Sequence, residues 1–303
     1  MRIAAIDMGS NTTLMLICDV QNNKITKVIS DHSEMTRLSQ ELQADKLLKP
    51  EALDRLDKCL AFYREIMSRA HVEKVVAVAT SAARDAKNQS EFFRITDSHA
   101  IPVQIISGDQ EAKVTFVGST FDVQDKEGVV VIDIGGGSTE IVAEQNGRVE
   151  GFSLNVGSVR MTEQFFSSHP VRASEVASLE AFLRQELIRQ RGHLPEPKNV
   201  KRAVAVAGTP TTLAMILQQI TFDEEQVHGF VVTKKTVEEW LEKLAGMSIE
   251  QRCRLIGMHP KRADVMVAGL AILSSVLQFL ELGELTVSTK GVRYGLALLH
   301  DQI

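Results

Sequence analysis

Two stretches of this chain join an aspartate to a turn of small and hydroxylic residues. They are Ile6-Asp7-Met8-Gly9-Ser10-Asn11-Thr12-Thr13 and Ile132-Asp133-Ile134-Gly135-Gly136-Gly137-Ser138-Thr139, and they align without a gap. A strand that ends in Asp-x-Gly and turns through small residues brings backbone N–H groups close to an anion, and a phosphate suits such a turn. In the first stretch Ser10, Asn11 and Thr12 add hydroxyl and amide donors. In the second, Gly135, Gly136 and Gly137 carry no side chain to keep a phosphate from the backbone, and Ser138 and Thr139 follow with hydroxyls. A tight hairpin without a ligand would use the same glycines. The recurrence of apolar run, acid, glycine and hydroxyl in one order favours two related domains, each with a phosphate-binding turn.

Further charged residues follow short apolar runs. Arg84 lies in Thr80-Ser81-Ala82-Ala83-Arg84-Asp85-Ala86-Lys87-Asn88, read as a small-residue loop past the strand 75–79. A guanidinium fork suits a pair of phosphate oxygens; a salt bridge to Asp85 or another acid is the alternative. Glu111 lies in Ser107-Gly108-Asp109-Gln110-Glu111 after the strand 103–106. A carboxylate near a phosphate-binding turn can orient or deprotonate a water, and Glu111 is a candidate for that. It reads equally well as an acid favoured by a helix N-terminus. Glu140 is a second carboxylate for the water or a metal, or else an exposed strand residue. Asp7 and Asp133 would repel phosphate unless a divalent cation intervened, and Mg²⁺ takes one or two carboxylates plus phosphate oxygens. The expected site for Mg²⁺ (or Mn²⁺) uses Asp133 with Glu140 or Asp7; capping of backbone N–H groups by Asp133 is the alternative. Arg262 is placed at the start of a long apolar helix, facing a cleft or solvent.

The elements that must position these groups follow from pattern. Strands are expected over 2–6, 13–20, 75–79, 103–106, 129–134, 139–143, 201–206 and 285–287. Helices are expected over 50–70, where Leu53, Leu56, Leu60, Tyr63 and Ile66 share one face, and over 173–191, 236–247, 249–255, 261–280 and 291–300. The apolar segment 265–280 contains Gly, Ser and Gln and falls short of the roughly 20 residues of a membrane span, so it reads as a buried core helix. The chain has 303 residues, enough for two domains. Its net charge of −5 argues against nucleic-acid binding by bulk charge, so a polyanion must be held by local groups. The three cysteines lie far apart with no metal-ligand spacing, and the eight histidines show no paired spacing either. Asp7 interrupts the first apolar stretch too early for a leader peptide, so a cytoplasmic protein with reduced thiols and no membrane contact is expected.

Together with Asn155-Val156-Gly157-Ser158-Val159-Arg160-Met161-Thr162-Glu163, Ala207-Gly208-Thr209, Val227-His228-Gly229 and Arg262-Ala263-Asp264, these motifs resemble the exopolyphosphatase / guanosine pentaphosphate phosphohydrolase family in family order over nearly the whole chain. The resemblance implies an α/β fold of two actin-like domains, 1–119 plus 289–303 and 120–288, with the active site in the cleft between them. It implies Glu111 as general base, Arg84 on phosphate, a homodimer, and polyphosphate or guanosine pentaphosphate as the substrate. Long family members carry a further helical domain, and this sequence stops at Ile303, which leaves processive digestion of very long chains in question. Tyr294 stands where the family usually has glutamate. The leading expectation is release of terminal phosphate from polyphosphate by direct water attack; the variant is removal of the 5′ γ-phosphate of guanosine pentaphosphate. A non-catalytic sensor of polyphosphate or guanosine tetraphosphate is a rival of another class. An actin-like sugar or acetate kinase is disfavoured, because Glu111 and Arg84 match the hydrolase pattern.

Overall fold

The computed structural model describes residues 1–145, 148–193 and 195–302. The chain forms two compact units, Met1–Phe121 with Gly291–Ile303, and Asp122–Lys290.

In the first unit, β1 (Arg2–Met8), β2 (Thr13–Gln21), β3 (Lys24–Glu34), β4 (Lys74–Ala79) and β5 (Val103–Ile105) form a sheet ordered β3-β2-β1-β4-β5. The β1–β2 and β2–β3 pairs are antiparallel, and β1–β4 and β4–β5 are parallel. Central β1 is apolar on both faces because both are covered. Ala4, Ile6 and Met8 join one core cluster with Leu53, Leu56, Leu60 and Tyr63 of the Pro50–Arg69 helix. Ile3 and Ala5 join another with Val292, Tyr294, Leu296 and Ala297. Edge strand β3 was not expected: it is polar and largely exposed, as an edge strand that must not pair with another chain often is.

The Val292–Leu298 helix closes this unit against the Gly108–Ser119 helix. The two helices meet backbone to backbone. A Cβ on Gly118 would lie 2.1 Å from Gly291 O, and one on Gly295 would lie 1.9 Å from Val114 O.

In the second unit, β6 (Val129–Ile134), β7 (Thr139–Gln145), β8 (Arg148–Leu154), β9 (Arg202–Val206), β10 (Val231–Thr233) and β11 (Glu284–Val287) are ordered β10-β11-β9-β6-β7-β8. Reading β8-β7-β6-β9-β11 gives the order and strand senses of the first sheet, with β10 added at the edge. The internal repeat thus extends from one motif to a whole sheet. Neither β8 nor β10 was marked by the sequence pattern. The Met266–Phe279 helix is buried along nearly its whole length, as its composition required. Cys18 and Cys59 are buried, and burial pushes both thiols up to about 12, which keeps them protonated.

Two local expectations are corrected. Arg84 lies on a short helix, Ser81–Asp85, and not in a loop. Arg262 ends a 3₁₀ turn, Pro260–Arg262, four residues before the Met266–Phe279 helix begins. Pro260 starts that turn and His259 Nδ1 accepts from Lys261 N (3.1 Å), so the chain there is set by its own cap. Fully buried Arg252 holds the same segment: its Nη1 donates to Ala263 O (2.9 Å) and to His169 Nδ1 (3.1 Å), and its Nε donates to Leu244 O (2.8 Å).

Replacing Gly295 by Ala is expected to destabilise the fold by about 1–3 kcal/mol or more, because the clash is with backbone that cannot rotate away. Denaturant unfolding measures this directly. Burial, helped by Arg252, holds the His169 pKa below its ordinary value. The unfolded chain therefore takes up the proton first as pH falls. Stability should be level above about pH 6.5 and decline below it until the folded-state pKa is passed. His169→Asn should flatten that part of a Tm-against-pH curve.

Candidate functional site

The twin turns have one geometry. Each is the connection of an antiparallel hairpin, with Met8 opposite Thr13 and Ile134 opposite Thr139. Each is closed by the same bond: Gly9 N donates to Thr12 O at 3.0 Å, and Gly135 N donates to Ser138 O at 3.0 Å. Ser10, Asn11, Ser138 and Thr139 are buried, and Thr12 is half-buried. The candidate residues Gly135, Gly136 and Gly137 form the second turn.

The carbonyls of these turns are occupied from behind. In the first unit, Ser39 N donates to Ser10 O and Arg37 N to Asn11 O, both at 2.9 Å. In the second, Ser158 N donates to Gly135 O (2.9 Å), and Val159 N and Arg160 N donate to Gly136 O (2.9 and 3.0 Å). The Ser158 hydroxyl adds a bond to Gly135 O (3.2 Å), and Arg160 Nε donates to Gly137 O (2.8 Å). These donors open the Ser158–Phe165 helix. Gly157 is required before it, since a Cβ there would lie 2.4 Å from Gly136 C. Among the described residues, the N–H groups of Gly136, Gly137 and Ser138 have no protein partner. Consecutive free N–H groups of this kind form a concave nest for an anion. At the first turn, Asn11 Oδ1 and Ser39 Oγ are buried without a hydrogen-bond partner, which leaves two polar atoms for a ligand or its water.

Glu111 is buried on the first turn of the Gly108–Ser119 helix. A capping box fixes that helix start: Ser107 Oγ accepts from Gln110 N (3.2 Å), and Gln110 Oε1 accepts from Ser107 N (2.9 Å). Arg84 Nη1 donates to Ile106 O (2.7 Å) and to Glu111 Oε2 (3.2 Å). The acid paired with Arg84 is thus not Asp85 but the candidate base. The two motifs meet because β4 and β5 are parallel neighbours whose carboxyl ends lie side by side.

Asp133 and Glu140 stand directly opposite each other on β6 and β7, and both are buried. Glu140 is therefore no exposed strand residue; its Oε1 accepts from Ser153 Oγ (2.6 Å). The equivalent of Glu140 at the first turn is Leu14, opposite Asp7. Two carboxylates facing across a ladder repel each other, so this pair suits a cation. Among the described residues no group of three or more His, Cys, Asp or Glu side chains could cage a metal. A divalent ion that completes its shell with phosphate oxygens and water fits this pair better than a fully caged one.

Arg262 lies over Gly208, where a Cβ would fall 1.2 Å from Nη1, so only glycine admits the guanidinium. Burial lowers its pKa to about 10, and it stays charged at neutral pH. The preceding Ala207, just past β9, has φ +69°, a backbone that non-glycine residues rarely adopt. His228 bonds Asp122 Oδ2 through Nε2 (2.9 Å) and accepts from Thr289 N through Nδ1 (3.2 Å). Its role is to hold chain segments together. Sequence reasoning missed Arg293. It is buried and forks onto Asp31 of β3 (Nε 2.7 Å, Nη2 2.8 Å), beside Tyr294, which stacks on Phe121. Burial works against its charge, but Asp31, with help from Asp7, raises the pKa. No spacing rule connects Asp31 to Arg293; only a signal for strand β3 would have found the pair.

Comparison with known proteins agrees with this geometry. The profile of the Ppx/GppA phosphatase family matches residues 16–300. The chain is 35% identical to exopolyphosphatase 2 of Mycobacterium tuberculosis over 98% of both chains. It is 34% identical to a bifunctional 3-dehydroquinate synthase/phosphatase of Fusobacterium nucleatum, covering 91% of this chain and 43% of that one. Among solved structures, an exopolyphosphatase from Cytophaga hutchinsonii superposes with a TM-score of 0.88 at 25% identity, covering 99% of this chain and 97% of the other. The Ppx/GppA protein of Aquifex aeolicus gives 0.82 at 30% identity, covering 98% and 99%. With its two α/β units of repeated sheet order and its paired small-residue turns, this chain belongs to the Ppx/GppA phosphatase family.

Proposed function

We propose that this protein is a metal-dependent phosphoanhydride hydrolase that releases terminal orthophosphate from inorganic polyphosphate. The carrying observation is the buried Glu111 held by Arg84 in a chain that also presents two phosphate-type turns. The likeness to exopolyphosphatase 2 over the full length supports polyphosphate as the substrate.

In the reaction, the oxygen of a water attacks the terminal phosphorus in line with the bridging oxygen. Glu111 orients the water and accepts its proton. The P–O bond to the bridging oxygen breaks, and that oxygen leaves as the new end of a chain one phosphate shorter. Arg84 positions Glu111 and offers positive charge to phosphate oxygens; Arg262 is the corresponding candidate of the second unit. Each unit offers its own turn to phosphate oxygens: Ser10, Asn11 and Thr12 in the first, and the N–H groups of Gly136, Gly137 and Ser138 with Thr139 in the second. Asp133 and Glu140 would hold Mg²⁺ or Mn²⁺, with Asp7 the corresponding acid of the first unit; the bound ion would neutralise charge on the phosphates. Glu140 is also the reserve base. The working form is proposed to be a cytoplasmic homodimer, on family resemblance alone. Guanosine pentaphosphate offers the same kind of anhydride end and is the alternative substrate.

Phosphate release is to be measured with short polyphosphate, long polyphosphate and guanosine pentaphosphate. Release from polyphosphate above that from the nucleotide is the expected ranking, and the reverse ranking selects the alternative. Binding without release would favour a sensor. Glu111→Ala should lower kcat by about 10²–10⁴ with ligand affinity within a few-fold, and substantial residual turnover would move the base to Glu140. Arg84→Ala should lower kcat/KM by about 1.5–3 kcal/mol, through kcat as well as KM, because it releases Glu111. Chelation by EDTA should stop release, and Mg²⁺ or Mn²⁺ should restore it.

A further inference from the structure

The free N–H groups of the second turn exist because of how its peptide planes are turned. A trans peptide is planar, so the carbonyl of one residue and the N–H of the next point in opposite directions. Three planes make the nest. The Gly135 carbonyl is held by Ser158 N (2.9 Å) and its hydroxyl (3.2 Å), which turns the Gly136 N–H outward. The Gly136 carbonyl is held by Val159 N and Arg160 N (2.9 and 3.0 Å), which turns out the Gly137 N–H. Both rely on the helix backbone, and no substitution in the helix removes those donors except proline. The third plane differs. Among the described residues the Gly137 carbonyl has one donor, the side-chain Nε of Arg160 at 2.8 Å. That plane orients the N–H of Ser138. Rotation of the Gly137–Ser138 peptide changes ψ of Gly137 and φ of Ser138, and Gly137, with no Cβ, puts little restraint on its own ψ.

We propose that Arg160 is a positioning residue for phosphate binding. By holding the Gly137 carbonyl it prevents the Gly137–Ser138 peptide from flipping, and so keeps the Ser138 N–H, and not a carbonyl oxygen, turned toward the phosphate. The inference rests on the phosphate-binding reading of this turn given above. The function it assigns to Arg160 depends on an N–H at the ε position and not on the positive charge. The first turn has no such dependence, because the Ser10 and Asn11 carbonyls are held by backbone N–H groups of Ser39 and Arg37.

The test follows from side-chain geometry. Glutamine places its amide nitrogen the same number of bonds from the backbone as the arginine Nε. Lysine places a methylene there and carries its charge further out. Arg160→Ala, Arg160→Gln and Arg160→Lys are compared in the full chain for phosphate release from tripolyphosphate. Tripolyphosphate binding is measured by calorimetry with the same changes in a Glu111→Gln background. Arg160→Ala should raise KM and Kd about tenfold, as loss of one hydrogen bond to the turn would, with kcat changed less than KM. Arg160→Gln should recover most of that loss, and Arg160→Lys should not. Arg160→Ala behaving like the unaltered protein, or Arg160→Lys matching or exceeding Arg160→Gln, would overturn the inference. If Arg160→Ala does not fold, the Gln and Lys variants still decide. Failure of the protein with Arg160 intact to bind tripolyphosphate at all would instead sink the phosphate-binding reading itself.

Discussion

A backbone that offers N–H groups to an anion must find donors for the carbonyls on the other side of the same peptides. Buried polar groups of the main chain are rarely left unpaired. That accounting governs both halves of this molecule. The first turn is backed by the segment around Arg37 and Ser39, and the second by Ser158, Val159 and Arg160. Gly157 lets the second backing segment approach within contact of Gly136. The nest is therefore a property of two chain segments and not of the Gly-Gly-Gly run alone.

The catalytic candidates depend on the same economy of placement. Parallel β4 and β5 end side by side, and the residues that follow each strand carry Arg84 and Glu111. The capping box at Ser107 fixes where the second helix begins, hence where Glu111 sits on it. Further along, Gly118 and Gly295 allow the closing helix to lie against that same helix at backbone distance. The closing helix also delivers Arg293 to Asp31, so the end of the chain is tied to the edge strand near its start.

The repeat is close in geometry and unequal in chemistry. The hairpin register and the closing hydrogen bond are the same in both units, yet Leu14 faces Asp7 where Glu140 faces Asp133. Two buried acids opposite each other are unfavourable unless something shares their charge. That asymmetry assigns the cation in the proposed mechanism chiefly to the second unit. Tyr294 packs against Phe121, while Asp31 supplies the carboxylate for neighbouring Arg293.

Much of this was legible from local pattern. The twin Asp-x-Gly turns, the Pro50–Arg69 helix with its single apolar face and the buried Met266–Phe279 helix follow from spacing and composition, because each is fixed by interactions within a few residues. Edge strand β3 was hidden, since a polar exposed strand lacks the alternation that burial imposes. The Ser81–Asp85 helix and the 3₁₀ turn at Arg262 were missed because they are single turns, shorter than any periodicity can reveal. The pairings Arg84–Glu111, Arg293–Asp31 and Arg160–Gly137 join residues 27, 262 and 23 positions apart. The sequence by itself determined which residues stand as candidates to bind phosphate and activate water. Only the tertiary structure decided which carbonyls are held and which N–H groups are left free, because that depends on donors brought from distant segments of the chain.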